Sequence, residues 1–237
     1  MGVPDLNQRL VDAAAERYRP AGRFAFHFAR AKLAGDPVFA ALLARALIPD
    51  RAQVLDLGCG QGLLAAWLLA AESAQQSGNW GGTWPQPPTA WRFRGIERAA
   101  REVERANRAL GARASVGCGD IRSAEFGDAD VVVILDVLHY MELATQEAVI
   151  DRVRASLSQA GVLLLRVGDA GAGWPFRLGT WVDRAVLVAR GYGATKLHCR
   201  PVEDWIELLD RRGFRTDAVP MSANTPFANV LLVARPK

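Results

Sequence analysis

Three glycines on alternate positions, Gly58, Gly60 and Gly62, stand between two apolar runs. The first run is Val54-Leu55-Asp56-Leu57, with the acid Asp56 inside its end; the second begins at Leu63. Glycine reaches positive φ without a Cβ clash and lets backbone approach a ligand closely. A turn of this kind, between a strand and a helix N-terminus, is where open α/β folds hold nucleotide-like ligands. Spacing discriminates among those ligands. A dinucleotide loop reads G-x-G-x-x-G, so its third glycine would fall at position 63. The residue there is Leu63, and the third glycine is Gly62. That spacing disfavours a nicotinamide oxidoreductase. A second acid, Glu97, closes Trp91-Arg92-Phe93-Arg94-Gly95-Ile96. A carboxylate at the end of a second strand can accept both ribose hydroxyls of a nucleoside. His27, His139 and His198 are the imidazoles available to take a proton from an oxygen nucleophile.

These residues need a scaffold, and the hydrophobic pattern predicts one. Residues 6–19 read as an amphipathic helix stopped by Pro20. Residues 22–33 read as a second, with Phe24 and Phe28, and Arg23 and His27, each four apart. Asp36 is placed to cap a third, with Pro37 in its first turn and an end near Leu47. Strand one follows, then the helix from Leu63 to about residue 74. Residues 75–88 are rich in Gly, Pro, Ser and Gln and read as a long loop carrying Trp80 and Trp84. Those tryptophans either meet a partner or pack back on the domain. A helix is expected over 99–110, a short strand over 114–116, and a buried strand at Val131-Val132-Val133-Ile134. A helix over 147–158 and a strand over 161–167 follow. Further helices are expected over 176–190 and 201–212, and final strands from Gly213 and over 229–235.

Val54 to Gly62 resembles motif I of the class I S-adenosylmethionine (SAM) dependent methyltransferases. The resemblance continues in order through Glu97, Cys118-Gly119-Asp120-Ile121, Asp136-Val137-Leu138-His139-Tyr140 and the Gly161 strand, and more loosely to Arg235. It implies an α/β three-layer sandwich. Its seven-stranded, mostly parallel sheet would run in the order 3-2-1-4-5-7-6 with strand seven antiparallel. Residues 1–50 would form an N-terminal helical extension, and 51–237 the methyltransferase domain with a loop insertion at 75–90. It further implies that SAM is the cofactor and S-adenosylhomocysteine the product. The loop residues Asp56, Gly58, Cys59, Gly60 and Gly62 would cradle the methionine end, Glu97 with Arg98 the ribose, Asp120 and Ile121 the adenine. Asp136 and Val137 would lie near the amino acid end and the reacting methyl. His139, beside that last turn, is the first candidate base and His27, on the extension, the second; His198 is less favoured. Tyr18 and Tyr140 are candidate hydrogen-bond donors.

The acceptor is less constrained. Amino-methyltransferases of nucleic acids carry Asn/Asp-Pro-Pro-aromatic after strand four; here Asp136-Val137-Leu138-His139 has no proline. Net charge is +4, too small to argue a nucleic acid partner. A small-molecule hydroxyl suits the aromatic extension, in the manner of bacterial enzymes of pigment or secondary-metabolite pathways. An RNA or protein methyltransferase, or a SAM-binding subunit without turnover, are the alternatives. Catechol-type O-methyltransferases hold Mg²⁺ with acids after strands four and five, where Asp136 and Asp169 stand. Ala170 replaces the asparagine of that motif, so no metal is expected. Cys59, Cys118 and Cys199 show no metal-ligand spacing, and a sparse, odd set suits a reducing cytoplasm. The polar start carries no leader-like segment, and no apolar run is of membrane-spanning length. A cytoplasmic monomer or homodimer is expected.

Overall fold

The computed structural model describes residues 5–81, 83–171, 197–222 and 228–237. The helix expected over 176–190 lies outside them. The chain divides into two compact units, Met1–Ala124 and Glu125–Lys237.

The first unit opens with α1 (Leu6–Glu16), α2 (Arg23–Gly35) and α3 (Pro37–Ala44). Then come β1 (Gln53–Leu57), α4 (Leu63–Gln76), β2 (Arg92–Glu97), α5 (Ala100–Leu110) and β3 (Ala114–Cys118). β2 lies between β1 and β3 and is parallel to both. Helix α1 ends three residues before the expected stop, and Arg19–Ala21 form a 3-10 turn instead. Pro20 accounts for this, since a proline disfavours helical backbone in the residue before it. Asp36 caps α3 as expected, accepting from the Val38 N–H at 3.1 Å. That helix stops early because the chain closes a Schellman turn. Leu47 N–H donates to Leu42 O, Ala46 N–H to Leu43 O, and Ala46 sits at φ 49° in the place glycine usually takes.

Helix α4 is enclosed on every side from Leu63 to Ala71, which its unbroken apolar run requires. Its Trp67 is fully buried, and the indole N–H donates to Phe39 O at 2.8 Å. Helix α5 buries Ala106, Ala109 and Leu110; Arg101, Glu104 and Arg108 lie on a solvated face as expected, whereas Glu102 and Arg105 pair with each other largely out of solvent. In the loop after α4, Trp80 and Trp84 meet edge to face at 6.2 Å, and Trp80 donates to Pro85 O. Trp91 is buried.

The second unit holds β4 (Ala129–Leu135), α6 (Leu143–Ser156), β5 (Leu157–Gly168), α7 (Val202–Arg211), β6 (Phe214–Pro220) and β7 (Asn229–Pro236). β4 and β5 are parallel, while β7 is antiparallel to both β5 and β6. The strand order is β3-β2-β1-β4-β5-β7-β6, as the family resemblance implies. α6 begins four residues earlier than expected and passes straight into β5. Gly161 is needed in that strand because a Cβ there would lie 2.9 Å from Ser158 O and 3.0 Å from Asp130 O. Beyond β5 the chain is pinned where it leaves and where it returns. The Asp169 carboxylate accepts from the N–H groups of Gly171 (2.9 Å) and Val202 (3.3 Å), and Ala170 N–H donates to Arg200 O.

Candidate functional site

In the first unit the site is built at the ends of β1, β2 and β3. Gly58, Gly60 and Gly62 have φ of 74°, 55° and 71°, so all three take the left-handed conformation expected of them. The loop is held from below by β2: Gly58 N–H and Cys59 N–H both donate to Ile96 O. It is held from the side by Glu97, whose Oε2 accepts from Gly60 N–H at 3.0 Å. The other oxygen, Oε1, accepts from Ala99 N–H at 2.8 Å, so one carboxylate joins the glycine loop to the start of α5. Gly95 makes room beneath: a Cβ there would stand 2.6 Å from the Cys59 sulfur.

Asp56 is 4% exposed, and burial, reinforced by the Glu97 carboxylate, pushes its pKa up to about 8. Burial, and then the same two acids, drives the Cys59 thiol well above its ordinary pKa, which makes it a packing group and not a nucleophile. Asp120 behaves oppositely. The Arg122 guanidinium and backbone N–H both donate to it, and its pKa falls to about 2. Ile121, beside it, is buried, while Arg98 is exposed and its charge also favours the Asp120 carboxylate. Glu97 O, accepting from Gly119 N–H, ties the Asp120 turn to the end of β2.

The candidate donor Tyr18 finds its acceptor in this unit, and one further residue, Gln61, was not apparent in the sequence. Tyr18 is fully buried, and its hydroxyl donates to Gln61 O at 2.7 Å, fastening the segment after α1 to the glycine loop. The Gln61 carboxamide is 2% exposed, and neither Oε1 nor Nε2 meets a partner among the described residues. Buried polar atoms of that kind call for a ligand or ordered solvent. Left-handed glycines, an orphaned amide and an acceptor carboxylate together fit a polar, nucleoside-containing cofactor. His27 lies on α2, exposed and edge to face with Phe26.

In the second unit Asp136 follows β4 with φ 58°, a strained conformation for a residue with a Cβ. Its carboxylate is gripped by Arg166 of β5, whose side chain is only 2% exposed. Val137 leads into a 3-10 turn, Leu138–Tyr140, which carries His139. Gln146 of α6 holds that turn. It has no exposed surface, and its Nε2 faces Leu138 O, Met141 O and His198 O at 3.1, 3.0 and 2.7 Å. Its Oε1 accepts from Arg200 Nε, and His198 N–H donates to His139 O. His139 and His198 therefore line one small cavity with Arg166, Arg200 and Trp205. Sequence reasoning ranked His198 last and missed Arg166 and Gln146. The one signal was a lone arginine within the apolar run of β5. Among the described residues no group of three or more His, Cys, Asp or Glu could hold a metal ion. No described helix is long and apolar enough to cross a membrane.

Comparison with known proteins agrees with this architecture. A family model described as a methyltransferase domain matches residues 55–163. The carboxy-S-adenosyl-L-methionine synthase of Chromohalobacter salexigens is 29% identical over 129 residues, 52% of this chain and 43% of that protein's length. Among solved structures, the magnesium protoporphyrin IX methyltransferase of Synechocystis with bound SAH covers 97% of this chain and 98% of its own, at 18% identity and TM-score 0.59. The mitomycin 7-O-methyltransferase covers 97% of this chain and 68% of its own, at 20% identity and TM-score 0.60. The strand order and the glycine loop give this chain the architecture of the class I SAM-dependent methyltransferases, and residues 55–163 match the methyltransferase-domain model.

Proposed function

We propose that this chain moves the methyl group of SAM to a hydroxyl oxygen of a small molecule. The observation that carries the reading is the glycine loop, three left-handed glycines of which one is held by the Glu97 carboxylate. When bound, the cofactor supplies an electrophilic methyl on its sulfonium. The protein's part is to bind it through the loop, Asp56, Glu97, Arg98, Asp120, Ile121, Asp136 and Val137, and to hold an acceptor oxygen in line with the methyl. A hydroxyl must also lose its proton, and His139 is the base, with His27 the second candidate. The hydroxyl is favoured by the mitomycin enzyme, whose name states transfer to oxygen, and both structural neighbours are named for small-molecule substrates.

Calorimetric titration with SAM and S-adenosylhomocysteine, with NAD as control, tests the cofactor; absence of binding would sink the reading. A panel of hydroxylated small molecules with SAM, assayed for S-adenosylhomocysteine, finds the acceptor. With an acceptor in hand, His139→Ala lowers turnover by about a hundredfold or more while leaving S-adenosylhomocysteine affinity intact; unchanged turnover removes His139 as the base. Glu97→Ala has a different signature, because it removes the acceptor for two N–H groups at once. Hydrogen bonds to a charged group are worth about 1.5–3 kcal/mol each, so losing two lowers cofactor affinity by about a hundredfold or more. An affinity within twofold of the parent's would show that the carboxylate does not brace the loop. The carboxy-SAM synthase similarity favours a second reading, in which the cofactor itself is altered. Mass analysis of the nucleoside product separates the two.

A further inference from the structure

An open cleft of the first unit, of about 570 Å³, is lined by Arg19, Gly22, Arg23, Phe26 and His27. That volume lies within the range of small-molecule pockets. Its lining holds two guanidiniums, one imidazole and one phenyl ring, and no carboxylate. The arginines differ. Arg19 is paired with Glu16 and stands over Phe26, its guanidinium carbon 4.3 Å from the ring centroid. Its charge is partly answered. Arg23 is exposed and pairs with no acid among the described residues. It stands at the first position of α2, whose opening turn carries no acid. A cation there adds to the positive end of the helix dipole, an arrangement that an anion would relieve. The Arg19–Phe26 pair beside it offers a cationic and aromatic surface for another ring.

The cleft is also tied to the cofactor loop. Arg19 directly follows Tyr18, whose hydroxyl bonds the Gln61 carbonyl. On α2, Phe24 lies under Arg105 of α5 at 4.6 Å, and the Glu97 carboxylate accepts from Ala99 N–H just before that helix.

We infer that this cleft binds the methyl acceptor, and that the acceptor is a planar aromatic compound bearing a carboxylate or similar anion, with Arg23 as its ion partner. As a statement about the acceptor, this rests on the proposed methyl transfer. It is tested with a pair of probes that differ only in charge, 1-hydroxy-2-naphthoate and 1-hydroxy-2-naphthamide. Each is titrated into the protein with and without saturating S-adenosylhomocysteine. One charge-assisted contact is worth about a tenfold preference for the acid. In Arg23→Gln the preference shrinks to within about twofold, while S-adenosylhomocysteine binds as in the parent. Equal binding of the two probes to the parent overturns the inference, as does an Arg23→Gln protein that keeps the preference. Failure of S-adenosylhomocysteine to bind the parent overturns the cofactor reading instead, and the cofactor-free titrations then decide the cleft by themselves.

Discussion

Replacing Asp56 by asparagine stabilises the ligand-free protein at pH 8 by on the order of 5 kcal/mol and changes little near pH 4. The sign follows from the protonation states. Asp56 has its pKa raised from 3.8 to about 8 in the folded chain, so between those values the folded state holds a proton that the unfolded state has released. Its contribution to stability is fully present below the unfolded pKa and is lost as pH rises through the folded one. At roughly 1.4 kcal/mol per unit, about four units account for the magnitude. Asparagine has the same shape and cannot ionise, so the difference in unfolding free energy between variant and parent grows with pH across this window. Urea denaturation of both proteins at several pH values measures it. A difference independent of pH would mean that Asp56 ionises in the fold as freely as in solution. The Glu97 carboxylate that helps raise Asp56 also accepts from the Gly60 and Ala99 N–H groups.

Asp136→Ala is expected to cost about 3–5 kcal/mol, because it leaves the Arg166 guanidinium buried without its counter-charge. Alanine gains nothing in return, since it too must adopt φ near 58° at this position. The double variant Asp136→Gly, Arg166→Met should recover most of the loss. Removing both charges abolishes the desolvation penalty, and glycine takes the left-handed conformation without strain. Urea denaturation of the single and double variants gives both numbers. A loss under about 1 kcal/mol in Asp136→Ala would place the pair among surface salt bridges and refute its role in the core. This pairing also refines how Asp136 enters the proposed reaction. It is a held carboxylate whose oxygens already face a guanidinium, and its strained backbone sets the start of the turn that carries His139.

What the sequence discloses and what it hides divide along physical lines. The glycine loop is legible because only glycine tolerates three left-handed positions in five residues, and Leu63 in place of a glycine narrows the ligand. The strands are legible as apolar runs, and the α3 cap as Asp36 before Pro37. Each of these is local chemistry. Gln146 is different: on paper it is a polar residue on a helix, and only the packed structure shows it with no exposed surface and three carbonyls at its amide. The Asp136–Arg166 pair joins residues thirty apart, so neither names the other. The early ends of α1 and α3 arise from Pro20 and from a left-handed Ala46; the first is visible in the sequence and the second is not, because alanine does not advertise positive φ.

The pins at Asp169, Ala170 and Val202 have an architectural consequence. They join the end of β5 to the start of α7 directly, through two hydrogen bonds, Val202 N–H to the Asp169 carboxylate and Ala170 N–H to Arg200 O. Doubling the length of such a span adds only about 0.6 kcal/mol of closure entropy. The junction between strand and helix is thus fastened locally, at Asp169, Ala170, Arg200 and Val202, whatever the length of chain between them.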